Sequence, residues 1–117
     1  MPLEKDIENL ILEYLSYLPD GFFWKNNSTG IYDAVKGTFR NNKNPWIING
    51  VADILGVYKG KFVAIEVKRP GGITSDDQQI FIDRIIKEGG LAGVATNLYE
   101  VNDILGVKNA RGKGVSR

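Results

Sequence analysis

The sequence contains no cysteine and no histidine, and these two absences exclude a large share of protein chemistry. Without thiols there are no disulfides, zinc–thiolate centres or cysteine nucleophiles; without imidazole there is no serine–histidine relay and no histidine metal ligand. Any catalysis has to run on carboxylates, lysines, amides or hydroxyls. Long apolar runs are also missing: nothing approaches the roughly 18 residues of a membrane span, and no basic-then-apolar leader opens the chain. A cytoplasmic protein with no membrane partner is therefore expected (the host cytoplasm, if the chain is phage-encoded). Prolines number only four, and the fourteen glycines are scattered without repeat or low-complexity tract. The 117 residues, 43% hydrophobic and 25% charged, suit one compact domain spanning 1–117 and are too few for two.

Net charge is only +1, but it is unevenly placed. Residues 1–20 carry five acids against one lysine, residues 25–69 carry eight bases against three acids, and residues 108–117 carry four bases and no acid. A face that binds phosphates is compatible with this asymmetry, as is plain solvated surface. Residues 26–49 have little periodicity and are rich in Asn, Gly, Thr and Lys. Within or beside them, Lys25, Lys36, Arg40, Lys43 and, further on, Arg69 are the candidate DNA-binding residues, with Phe39 and Trp46 placed for base or sugar contact. A solvated loop anchored by two aromatics fits the same stretch. The tail from Lys108 reads as flexible, either a solubilising end or a DNA-contacting arm.

The most informative stretch is Val51 to Lys68. Two strand-like runs flank Lys59-Gly60, the pattern of a β-hairpin with a two-residue turn. That turn makes Tyr58 face Lys61 and Asp53 face Glu66. Opposed residues have Cβ atoms only about 4.5–5.5 Å apart, where like charges destabilise a sheet, so the acid pair calls for something positive between its members. Lys68, two residues on, shares Glu66's face. Two carboxylates beside one ammonium make a site for a hard divalent cation. A structural salt-bridge hairpin is the competing reading.

The flanking elements aim further polar groups at this place. Residues 3–18 space Leu3, Ile7, Leu10, Ile11, Tyr14, Leu15 and Leu18 as an amphipathic helix ended by Pro19-Asp20-Gly21. Glu4 falls within its apolar stripe and needs a partner there; Glu8 stands at the edge of the stripe. Thr74 or Ser75 caps a second helix, with Phe81, Ile82, Ile85 and Ile86 on its buried side. Gln78 lies near the centre of that side and Gln79 at its margin, and Gln78 either caps locally or points back at the site. Leu91 to Thr96 reads as a strand covered on both faces, and residues 98–106 as a last short helix. Strand, helix, strand implies a crossover and a mixed sheet.

Taken together, the opening Glu-x-x-Ile-Glu helix, Gly-Val-Ala-Asp-Ile-Leu at 50–55, Phe-Val-Ala-Ile-Glu-Val-Lys-Arg-Pro-Gly-Gly at 62–72, the glutamine-initiated helix and Gly-Gly-Leu-Ala-Gly-Val-Ala at 89–95 resemble the virus-type replication-repair nuclease (VRR-NUC) family of the PD-(D/E)XK superfamily. The resemblance covers roughly residues 4–105, and Ala52 stands where the family usually has proline. It implies an α/β, restriction-endonuclease-like fold, a central mixed β-sheet flanked by helices in α-β-β-β-α-β-α order. It also implies a Mg2+- or Mn2+-dependent endonuclease, similar in its short stand-alone form to phage-type homodimers acting on branched DNA such as Holliday junctions. On that likeness Asp53, Glu66, the Val67 carbonyl and Glu4 would hold metal, with Glu8 as the second candidate for the helix glutamate. Lys68 would stabilise the attacking hydroxide and the charge on the phosphate, and Gln78 would orient Lys68 or the phosphate. The alternative is a catalytically silent nucleic-acid-binding or dimerisation module that retains the fold.

Overall fold

In the computed structural model, residues 3–27, 31–33, 38–40 and 44–109 are described. Lys36, Lys43, the tail from residue 110 and the side chain of Arg40 lie outside the described residues. Recurrence of Ile7, Ile11 and Leu15 along one stripe produces helix α1 (Glu4–Ser16), which buries those three side chains. The chain then enters strand β1 (Gly21–Lys25). Two short strands, β2 (Ile31–Asp33) and β3 (Thr38–Arg40), pair antiparallel as a hairpin of their own within the stretch that lacks sequence periodicity. Three residues are too few for alternation to register.

Strands β4 (Ile54–Tyr58) and β5 (Lys61–Val67) form the expected hairpin. Lys59 and Gly60 take φ of 50° and 82°, the positive values a type I′ turn requires. Tyr58 pairs with Lys61 and Ile54 with Ile65, so one further step sets Asp53 against Glu66, as the sequence predicts. Helix α2 (Asp76–Lys87), strand β6 (Leu91–Ala95) and helix α3 (Leu98–Leu105) complete the fold. The main sheet runs β1-β4-β5-β6, antiparallel except for the β5–β6 pair, which is parallel and joined through α2. Leaving the β2–β3 hairpin aside, the order is the α-β-β-β-α-β-α of a restriction-endonuclease-like fold.

One face of this sheet makes the core. Ile7, Ile11 and Leu15 of α1 and Val101 and Leu105 of α3 pack on Ile54, Tyr58, Val63, Ile65 and Val67. On the opposite face α2 lies over β5 and β6. Being central and sandwiched, β5 loses its alternation and is buried without a break from Val63 to Val67. The apolar run of β6 also has a helix on either face, but as an edge strand its first four residues are only half-buried.

Candidate active site

Alternation along β5 sends Val63, Ile65 and Val67 into the core and Ala64, Glu66 and Lys68 toward α2. Glu66 is thus carried under a helix, where it is 3% exposed. Asp53 precedes β4, and where the hairpin ladder would continue, its carboxylate takes the place of a strand carbonyl: Val67 N–H donates to Asp53 Oδ2 at 2.9 Å. In a strand a residue's N–H and C=O point to the same edge, so the Val67 carbonyl also lies on the Asp53 side. The Asp53 backbone is held from the other flank, its C=O accepting from Asn26 N–H at 2.7 Å.

Two donors converge on one oxygen of Glu66. Lys68 Nζ lies 3.5 Å from Glu66 Oε2, and Gln78 Nε2 donates to the same oxygen at 2.7 Å. The Gln78 amide is orientated by a capping box at the start of α2. Its Oε1 accepts from Ser75 N–H at 2.9 Å, and Ser75 Oγ accepts from Gln78 N–H at 3.2 Å, leaving Nε2 as the end that faces the sheet. The other oxygen, Glu66 Oε1, is buried without a hydrogen-bond partner. Burial first, and then the negative charge of Asp53, raise the Glu66 carboxyl from an ordinary 4.5 to about 7, with Lys68 offsetting part of the rise.

The approach of α2 depends on Gly50, whose φ is +77° and whose missing Cβ would lie 2.4 Å from the Asp77 carbonyl and 2.7 Å from Gln78 N. The chain entering the Asp53 segment therefore presses backbone to backbone on the turn that carries Gln78. Only glycine allows both the conformation and the contact.

An unpartnered buried carboxylate oxygen costs on the order of 1–3 kcal/mol or more. A structural ion pair would have closed it, so the salt-bridge reading is the poorer fit. The donor set suits a small hard cation. Two carboxylates and a backbone carbonyl are all oxygen, and magnesium-type sites commonly use one or two carboxylates and complete the shell with water and phosphate. Among the described residues no group of three acids that could hold a metal ion is present, and neither helix-one glutamate joins the pair. Glu4 shares the azimuth of Ile11 and Leu15 but is exposed, because burial on α1 begins only at Ile7. The inward pointing expected for Glu4 is therefore not found: periodicity gave its direction, and the helix start overhangs the packed core. Glu8, with its side chain 13% exposed, forms an ion pair with Lys25 of β1, one residue from the Asn26 that holds Asp53.

Gln78 is brought in as expected, but to Glu66 rather than to Lys68. Gln79 faces solvent and donates to Asp83. Arg69 is exposed just beyond β5. The Glu8–Lys25 pair and the Val67 N–H on Asp53 were missed, since both depend on how elements dock. A cavity of about 830 Å³ between α1 and α3, lined by Leu10, Tyr14, Leu98, Tyr99 and Asn102 among others, includes none of Asp53, Glu66, Lys68 or Gln78.

The model of the VRR-NUC domain matches residues 14–97, a span that contains Asp53, Glu66, Val67, Lys68 and Gln78 and excludes Glu4 and Glu8. No curated protein matches the chain. No described helix is long and apolar enough to cross a membrane. With its fold and most of its length accounted for by that match, the chain belongs to the VRR-NUC family of nuclease domains, a class that acts on DNA.

Proposed function

We propose that this protein is a divalent-metal-dependent endonuclease that hydrolyses DNA phosphodiester bonds, with Mg2+ or Mn2+ as cofactor and branched DNA as its preferred substrate. The observation that carries the reading is the buried, unpartnered Oε1 of Glu66 beside Asp53, an arrangement that is costly unless a cation completes it. Asp53, Glu66 and the Val67 carbonyl would hold that ion. When bound it supplies Lewis-acid chemistry, polarising the phosphate and making water acidic enough to serve as nucleophile near neutral pH.

The protein's own groups divide the remaining work. Glu66, whose carboxyl is raised to about 7, would have to release its proton to solvent to serve as a ligand. Gln78 keeps Oε2 occupied, so that Oε1 is the oxygen offered. Val67 N–H fixes Asp53, leaving its second oxygen for the ion. Lys68, whose side chain is 15% exposed, is free to lean from Glu66 toward the scissile phosphate and to offset the negative charge that grows there. Arg69, exposed just beyond β5, and Lys25, at the end of β1 and ion-paired with Glu8, suit the flanking phosphates. Symmetric cutting of a four-way junction needs two such sites, which a two-fold homodimer provides.

The direct experiment incubates pure protein with Mg2+ or Mn2+ and matched linear, flap and four-way-junction DNA, beside Asp53→Ala and Lys68→Ala. Wild type is expected to cut, branched substrates fastest, with Lys68→Ala slower by about 100- to 1,000-fold and Asp53→Ala reduced at least as far. If wild type binds every substrate and cuts none, the chain is a silent binding module.

A further inference from the structure

The register of the sheet extends the site across its open face. On the side that carries Glu66, the pairings align Asn26, Asp53 and Glu66 in one row, Trp24, Leu55 and Ala64 in the next, and Phe22, Val57 and Phe62 in a third. Successive rows are two residues, about 7 Å, apart. Helix α2 covers β5 and β6 on this side, and the outer half of the face is open: Phe22 is 69% exposed, Trp24 40%, Val57 39% and Phe62 39%. The Phe22 and Trp24 rings lean together with centroids 5.4 Å apart. No charged residue interrupts the two apolar rows. Lys68 and Arg69 stand at the acid end, while at the turn Lys61 alternates to the opposite face and Lys59 lies over the Tyr58 ring there.

We propose that this surface is a stacking platform for an unpaired nucleobase, with Trp24 as the ring on which the base beside the scissile phosphate lies and Phe22 extending the platform. The inference rests on the nuclease reading and narrows its substrate to DNA with bases released from the duplex near the cut, as at a junction, flap or single strand. Three observations favour a nucleic acid strand over other occupants. The exposed side chains at both ends of the patch are aromatic, and base stacking on such rings tolerates any sequence. The platform lies on the same face as the carboxylate pair and one row from it, a separation that a nucleotide spans between phosphate and base. Lys68, on the same face, and Arg69 border the patch at its acid end, where the phosphodiester backbone would run into the site. A second copy of the chain is a poorer match, because a stable protein interface takes about 20–30 residues a side and these two rows offer at most five accessible ones, Ala64 being fully buried.

The test uses full-length protein without divalent metal, so that binding is read apart from cleavage. In a Trp46→Phe background Trp24 is the single tryptophan, and titration with a single-stranded oligonucleotide is expected to quench its fluorescence more than titration with blunt duplex. Trp24→Ala should bind the single strand about 5- to 150-fold more weakly, while Trp24→Tyr, which keeps a ring, should recover most of that loss and exclude misfolding as the cause. Undiminished binding by Trp24→Ala, or quenching equal with duplex, overturns the platform. So does a wild type that sediments as a dimer and becomes monomeric on Trp24→Ala, which would make the face an interface between copies. If the wild type cuts DNA yet Trp24 is not quenched, the platform alone is lost; if Trp24 is quenched by single strands and no DNA is cut, the platform stands and the nuclease reading fails.

Discussion

Beneath α1 and α3 the main sheet presents Ile54, Val63, Ile65 and Val67, each 1% exposed or less; beneath α2 it presents an acid at 3% exposure with an unsatisfied oxygen, and beyond α2 a row of open aromatic rings. The same strands supply both faces, alternate residues going to each. On the first face the side chains have only each other as partners, and their contribution is stability. On the second, Glu66 keeps a buried oxygen without a hydrogen-bond partner, the incompleteness that the proposed ion would relieve. Stability and chemistry are thus segregated by the two-residue period of β4 and β5 rather than by separate parts of the chain.

The contrast makes a graded set of expectations. Ile65→Ala, in the middle of the packed face, should cost about 2–5 kcal/mol, measured by chemical denaturation, with any loss of cleavage following the unfolded fraction. Gly50→Ala should cost about 1–3 kcal/mol and, unlike Ile65→Ala, should reduce turnover in molecules that remain folded, because a Cβ there pushes Gln78 away from Glu66. Gln78→Ala should lose about 1 kcal/mol with its half of the capping box and raise the metal concentration needed for half-maximal cleavage. Val57→Thr, on the open rim, should change stability by no more than about 0.5 kcal/mol; a loss as large as that of Ile65→Ala would mean the rim is covered by something in solution.

Much of this division is legible in the sequence, for local reasons. The Lys59-Gly60 turn sets register without reference to the rest of the fold, and register alone opposes Asp53 to Glu66. Helical periodicity turns Gln78 inward because the first turn of α2 packs backbone to backbone on the Gly50 segment, close to Glu66. The same periodicity misdirects Glu4, since azimuth on a helix says nothing about where the underlying sheet ends. The Glu8–Lys25 pair needs the docking of α1 on β1, and the open aromatic face needs the knowledge that α2 covers only β5 and β6. Neither is written in any one segment. The hydrogen-bond partner of Gln78 also eluded a one-dimensional reading, because its capping role and its inward role, weighed as alternatives, turn out to be the same amide used at both ends.

The central claim, that Glu66 is held in an under-satisfied state that a cation relieves, is tested most directly by the thermal midpoint of metal-free protein at pH 6 and pH 8, beside Glu66→Gln and with excess Mn2+. A carboxyl raised to about 7 in the fold binds its proton more tightly there than in the unfolded chain, so its stabilising contribution is complete at low pH and is lost as pH rises through 7. Wild type should therefore melt at a lower temperature at pH 8 than at pH 6 and regain stability at pH 8 when Mn2+ is added, whereas Glu66→Gln should be the more stable protein at pH 8 and indifferent to the metal. A wild type whose midpoint is unchanged between the two pH values, or a Glu66→Gln variant that falls with pH and responds to Mn2+ as wild type does, would contradict the account.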